Sequence, residues 1–173
     1  MENIILSKNA FITCAFRQIF KECDCKDVCV VDIDSYGSLN ELLNNMKKGK
    51  LSVNQKVYFL KGNSVLSNML VSITAFHVLD SLAHIRKVIL TGIAPCYVFV
   101  GRYINGLREL SVLTHREKQI VYALVNYKDV SSIARAMNAN HKTIYSRVRK
   151  IAIKLNLRDI GQVRKFIFSE ITT

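Results

Sequence analysis

Short runs of β-branched and aromatic residues recur through residues 1–110, and between them apolar positions return every three or four residues. The runs are Ile4–Leu6, Val28–Ile33, Val57–Leu60, Val88–Leu90 and Cys96–Val100. Apolar on both sides and only a few residues long, they predict buried strands of an α/β sheet. The intervening stretches read as amphipathic helices. Phe11 to Glu22 repeats through Phe11, Ala15 and Ile19; a second stretch carries Leu39, Leu42, Leu43 and Met46. A third, Ser64 to Leu82, continues through Leu66, Met69, Leu70, Ile73 and His77.

Strand and helix in alternation predict a doubly wound, roughly five-stranded sheet, an abbreviated relative of the flavodoxin-like type. The link from the fourth run to the fifth, around Gly92 and Pro95, is too short for a parallel crossover, which takes about a dozen residues. The last strand is therefore expected to be antiparallel or irregular, with a short helix from Tyr103 to Leu110 after it. A boundary near Glu109–Val112 then separates a regulatory or dimerisation domain, 1–110, from a second domain, 111–173.

From Leu113 onward every period is helical. Thr114-His115-Arg116-Glu117 has the form of a capping box, with Ile120, Val121, Leu124 and Val125 on the buried side of the helix that follows. Asp129 is placed to cap a second, short helix holding Ile133, Ala134 and Met137, and Asn140 a third, His141 to about Leu155. Across 130–149 the spacing is that of a helix-turn-helix: small Ala134 where the helices approach, Asn138 at a left-handed turn position, apolar Ile144 beyond. On the third helix Ile144, Val148, Ile151 and Leu155 fall within about 60° of one another at 100° per residue, so that side faces the core. Lys142, Tyr145, Ser146, Arg149 and Ile153 point away, with Thr143, Arg147, Lys150 and Lys154 on their flanks.

A helix of this kind fits the major groove of B-DNA. Lys142, Tyr145, Ser146 and Arg149 are the expected base readers, Arg149 above all because a guanidinium can bond two guanine acceptors at once. Thr143, Arg147, Lys150 and Lys154, with Ser131 and Ser132 at the start of the second helix, are expected on the phosphate backbone.

Charge agrees. The chain carries 25 Lys and Arg against 13 Asp and Glu, a net of +12. Residues 111–173 hold 12 of the basic and only 4 of the acidic side chains, so most of the excess lies beside the helix-turn-helix. The five cysteines are an odd number, which suits reduced thiols in a cytoplasm better than a disulfide framework. No secretory signal or spanning stretch is evident, and no membrane partner is expected. Cys23, Cys25 and Cys29, with Cys14 upstream, lack the paired spacing and nearby His of a zinc site, and read as small packing residues. Asp32 and Asp34 read as a strand-end polar site, and His77 and His84 as structural or surface residues. No nucleophile, base or metal constellation emerges, so neither an enzyme nor a cofactor is expected.

At Leu113-Thr114-x-Arg116-Glu117, Ile133-Ala134, Lys142-Thr143-Ile144 and Lys154-Leu155 the chain resembles the LuxR/FixJ (NarL-like) family of bacterial transcription regulators. The likeness covers about a third of the chain. Lys142–Ser146 with Ala152-x-Lys154-Leu155 is similar to enterobacterial capsule, biofilm and acid-response regulators of that family. Three positions depart: Tyr127 stands for the usual Gly, Ser132 for the usual Glu, and Arg147 for the familiar His. The resemblance implies a four-helix DNA-binding domain whose last helix, with Ile160, Val163 and Ile167 on one side, serves dimerisation. It also invites comparison of the first domain with a phosphorylatable receiver. The chemistry differs: Ser7-Lys8-Asn9 follows the first run without a carboxylate, and Gly101-Arg102 follows the fifth without Lys-Pro. The domain is expected to be receiver-like in shape and not phosphorylated.

The leading expectation is a cytoplasmic, sequence-specific regulator of transcription. Its expected partners are double-stranded DNA, a second subunit (the same chain or another regulator) and RNA polymerase. An auxiliary subunit that acts by heterodimerising is the alternative. A sigma-factor-like module is disfavoured, because no helical polymerase-binding region precedes the helix-turn-helix.

Overall fold

A computed structural model describes residues 3–171. The chain splits between Ile104 and Asn105 into two compact units, an α/β unit and an all-helical one.

In the first unit four strands, β1 (Ile4–Leu6), β2 (Val28–Asp32), β3 (Lys56–Lys61) and β4 (Thr74–His77), form one parallel sheet in the order β1-β2-β3-β4. The central strands β2 and β3 are buried on both sides, as their unbroken apolar runs require. On one face Val28, Val30, Tyr58, Leu60 and Phe76 pack with Phe16, Ile19 and Phe20 of α1 (Ala10–Cys23) and with Ile85 and Ile89 of α4 (Leu82–Thr91). Tyr58 stacks on Phe76 with ring centroids 5.6 Å apart. Buried residues of α2 (Leu39–Lys48) and α3 (Val65–Met69) lie outside that cluster and close the other face. There Leu6 Cδ2 lies 3.5 Å from where a Cβ on Gly49, at the end of α2, would sit.

This arrangement has a topological consequence. The steps β1 to β2, β2 to β3 and β3 to β4 all move the same way across the sheet, yet α1 lies on one face and α2 and α3 on the other. The α1 crossover therefore has the opposite hand to the two that follow, although such connections share one hand in about 98% of cases. The order matches the doubly wound 2-1-3-4-5 arrangement with its outermost strand missing.

The structure corrects three elements read from pattern. Val88–Leu90 is not a strand but the last turns of α4. Its Ile85 and Ile89 are the buried i, i+4 pair, and Ser81 caps the helix by accepting from the His84 amide. Cys96–Val100 is the start of α5 (Tyr97–Arg108), whose Val100, Ile104 and Leu107 are buried at helical spacing. Its first residues meet the sheet at an isolated antiparallel bridge of Cys96 with Lys56, in which Val57 N–H donates to the Pro95 carbonyl and Tyr97 N–H to the Gln55 carbonyl. The stretch from Ser64 is not one helix either: α3 ends at Met69, a 3₁₀ turn spans Val71–Ile73, and β4 follows. Within α1 the buried side is Phe16, Ile19 and Phe20, while Phe11 stands in solvent.

The second unit contains α6 (His115–Asn126), α7 (Val130–Ala136), α8 (His141–Lys154) and α9 (Ile160–Ile171). The capping box is formed: Thr114 Oγ1 accepts from the Glu117 amide, and Glu117 Oε2 accepts from the Thr114 amide at 2.8 Å. Tyr127, in place of a glycine, has φ −120°, ordinary extended backbone that any residue adopts. Its carbonyl accepts from Arg164 of α9 at 2.8 Å.

Candidate nucleic-acid interface

Asp129 caps α7 by accepting from both the amide and the hydroxyl of Ser132, so the departure at Ser132 completes a local cap. Between α7 and α8 Asn138 has φ +46°, a left-handed conformation that Asn tolerates better than most residues. Ala139 N–H reaches back to the Ala134 carbonyl at 2.9 Å and closes the turn. Ala134 and Ile133 are buried where α7 meets α8. Asn140 then starts α8 by accepting from the Lys142 amide.

The buried side of α8 consists of Ile144, Val148, Ile151 and Ala152, with Leu155 just past its end. Lys142, Thr143, Tyr145, Ser146, Arg149 and Lys150 are exposed, and Arg147 is half-buried on the flank. Ser131 is exposed and Ser132 half-buried at the start of α7. The side chains of Lys142, Arg147, Arg149 and Lys150 have no carboxylate partner among the described residues. Four free cations on one helix make a surface that attracts a polyanion.

Lys154 stands apart. Its ammonium lies 2.7 Å from Glu117 Oε2, tying the end of α8 to the capping box of α6. Burial pushes the Glu117 carboxyl up, but hydrogen bonds from Lys154 and Thr114 outweigh it and hold the group below the usual range. A carboxylate stabilised in this way supports the fold above its ordinary pKa and loses that support as pH falls through its lowered one. Acid denaturation followed by circular dichroism should therefore show a loss of helical stability below about pH 4 that is smaller in Glu117→Gln. Lys154→Ala should cost about 1 kcal/mol at neutral pH.

Val163 and Ile167 of α9 are buried in the interior of their own unit, and Ile160 is half-buried. Val163 and Ile167 thus pack into the core of their unit, while Phe168 is exposed among the described apolar residues of α9. Sequence reasoning missed Arg158. A notch of about 160 Å³ is lined by Tyr145, Val148, Arg149, Ala152, Arg158, Asp159 and Ile160, so the turn after α8 brings a second guanidinium to the exposed side of that helix. Only its place just past Leu155 could have hinted at this.

In the α/β unit, the buried Asp32 accepts from Ser7 Oγ at 2.7 Å and Ser35 Oγ at 2.6 Å. Asp34 accepts from the amides of Asn63 and Ser64 and from Ser67 Oγ. Burial raises its pKa, but these donors together hold it below the usual range. The two aspartates thus fasten the three loops that follow β1, β2 and β3, at the carboxyl ends of these parallel strands. Burial pushes the Cys29 thiol up to about 12, and Cys25 is raised by burial and by Cys23 beside it. Among the described residues no three His, Cys, Asp or Glu side chains gather where a metal could bind. No described helix is long and apolar enough to cross a membrane.

The two units define an α/β sheet unit followed by a helix-turn-helix unit. No family model matches the chain, and no curated protein matches it in sequence. Among solved structures the same fold occurs in the response regulator RcsB. A complex of the two-component response regulator RcsB with DNA is similar with a TM-score of 0.61 at 18% identity, over 98% of each chain. A structure of two RcsB dimers bound to two parallel DNAs is similar with a TM-score of 0.65 at 16% identity, again over 98% of each chain.

Proposed function

We propose that this protein is a sequence-specific DNA-binding regulator of transcription that reads the major groove with α8. The observation that carries the proposal is the division of that helix. Its apolar residues are buried against α6, α7 and α9, while Lys142, Tyr145, Ser146 and Arg149 face solvent without a side-chain partner among the described residues. Thr143, Arg147 and Lys150, with Ser131 and Ser132, flank the groove as backbone contacts, and Arg158 joins them. Lys154 is committed to Glu117 and is left out of this set. The fold shared with DNA-bound RcsB supports the reading, and the dimers in one of those structures support a two-subunit complex on paired half-sites. Residues 1–110 would then serve regulation or dimerisation and residues 111–173 bind DNA.

Selection of bound fragments from random DNA by the full-length protein, near physiological salt, tests the proposal. The expected result is an enriched motif with two half-sites. Retention without a motif would replace it by the auxiliary-subunit reading, and no retention would refute it. Arg149→Ala should then weaken the selected site by about 1–3 kcal/mol and relax one base position, with unchanged helicity.

A further inference from the structure

We infer that the outer edge of β1 is a docking site for an extended, acidic segment of a partner protein, which adds to the sheet as a fifth strand. Three observations converge there. The first is topological: β1 ends the sheet, and α1 lies on the face from which a crossover of the common hand would set its next strand on the far side of β1. The chain turns inward to β2 instead, so that position is not filled by any described strand.

The second is the character of the edge. Natural edge strands are blunted by shortness, charge, proline or a bulge. The β3–β4 end of the sheet has a register irregularity between Phe59 and Leu60. β1 relies on its shortness alone: its three residues, Ile-Ile-Leu, carry no charge, proline or bulge, pair regularly with β2, and none is fully buried. Asn3 spends its side chain inward, on the Cys25 carbonyl and the Val28 amide.

The third observation is charge, and it selects the occupant. A groove of about 270 Å³ runs along this edge, lined by Asn3, Ile5, Thr13, Arg17, Phe20 and Lys21. Arg17 and Lys21 sit one helical turn apart on α1, exposed, with no carboxylate partner among the described residues. Side chains alternate across a strand. Ile5 belongs with the α1 face, whereas Ile4 and Leu6 point to the other. An added strand would put every second side chain under Arg17 and Lys21 and the rest beside Ile4 and Leu6. Acidic and β-branched residues in alternation match both faces. Main-chain hydrogen bonds to β1 would supply affinity, and the cations specificity.

The test uses the full-length protein and a blocked nine-residue peptide in which Glu and Val alternate. The expected result is saturable binding, with slowed amide exchange at Ile4–Leu6. N-methylation of alternate peptide nitrogens should abolish it, and the Arg17→Glu/Lys21→Glu double variant should weaken it roughly tenfold. Both substitutions are on exposed positions of α1, and unchanged circular dichroism would confirm that the variant folds. Absence of binding, or binding that leaves β1 unprotected or tolerates N-methylation, would overturn the inference. So would protection of β1 that rises with protein concentration without peptide, which would make a second copy of the chain the occupant.

Discussion

Tyr58→Ala is expected to destabilise the α/β unit by about 3–5 kcal/mol, measured by urea denaturation. Tyr58 is fully buried in the middle of β3, where its ring stacks on Phe76 among residues from α1, β2 and α4. Truncation removes the ring's contacts and opens a cavity that several elements would have to move to fill. The ring dominates, not the hydroxyl, whose bond to the Ile89 carbonyl is a long 3.5 Å. Tyr58→Phe should accordingly cost only about 0.5–1.5 kcal/mol. If both substitutions cost the same, the hydroxyl and not the packing would hold this core.

Ile144→Ala should cost the helical unit about 2–5 kcal/mol, and Ile144→Val about 0.5–1.5 kcal/mol. Ile144 is fully buried in the first turn of α8, directly below the exposed Lys142, Thr143, Tyr145 and Ser146. The cavity would lie at the α7–α8 contact that orients α8, so DNA affinity should fall together with the unit's melting temperature. Arg149→Ala differs in kind, since it should lower affinity with the melting temperature unchanged. A loss of affinity on Ile144→Ala without loss of stability would mean that Ile144 is not the anchor of this helix.

Most of the helical unit was legible from residues alone because its signals are local. A capping box, a left-handed turn residue and a period of 3.6 each involve side chains within a turn or two of one another. Thr114 with Glu117, Asn138, and the Ile144–Val148–Ile151 side of α8 are all found where those rules put them. The α/β unit was less transparent. Val88–Leu90 and Cys96–Val100 have the β-branched content of strands, but at these lengths a buried strand and one side of a buried helix share a pattern. Packing decided. Ile85 with Ile89, and Val100 with Ile104, find the core only at helical spacing.

The same division holds for the candidate sites. The sequence by itself determined which residues of α8 face solvent, because burying one stripe of a helix necessarily turns the opposite stripe outward. It also determined that the loop after β1, Ser7-Lys8-Asn9, carries no carboxylate. Only the tertiary structure decided that Lys154 pairs with Glu117, that Val163 and Ile167 belong to the core, that Arg158 and Arg149 line one notch, and that β1 lies at an end of its sheet. Each of those depends on residues distant in the chain becoming neighbours. Local propensity is silent on such neighbours, because they are set by how whole elements bury their apolar faces together.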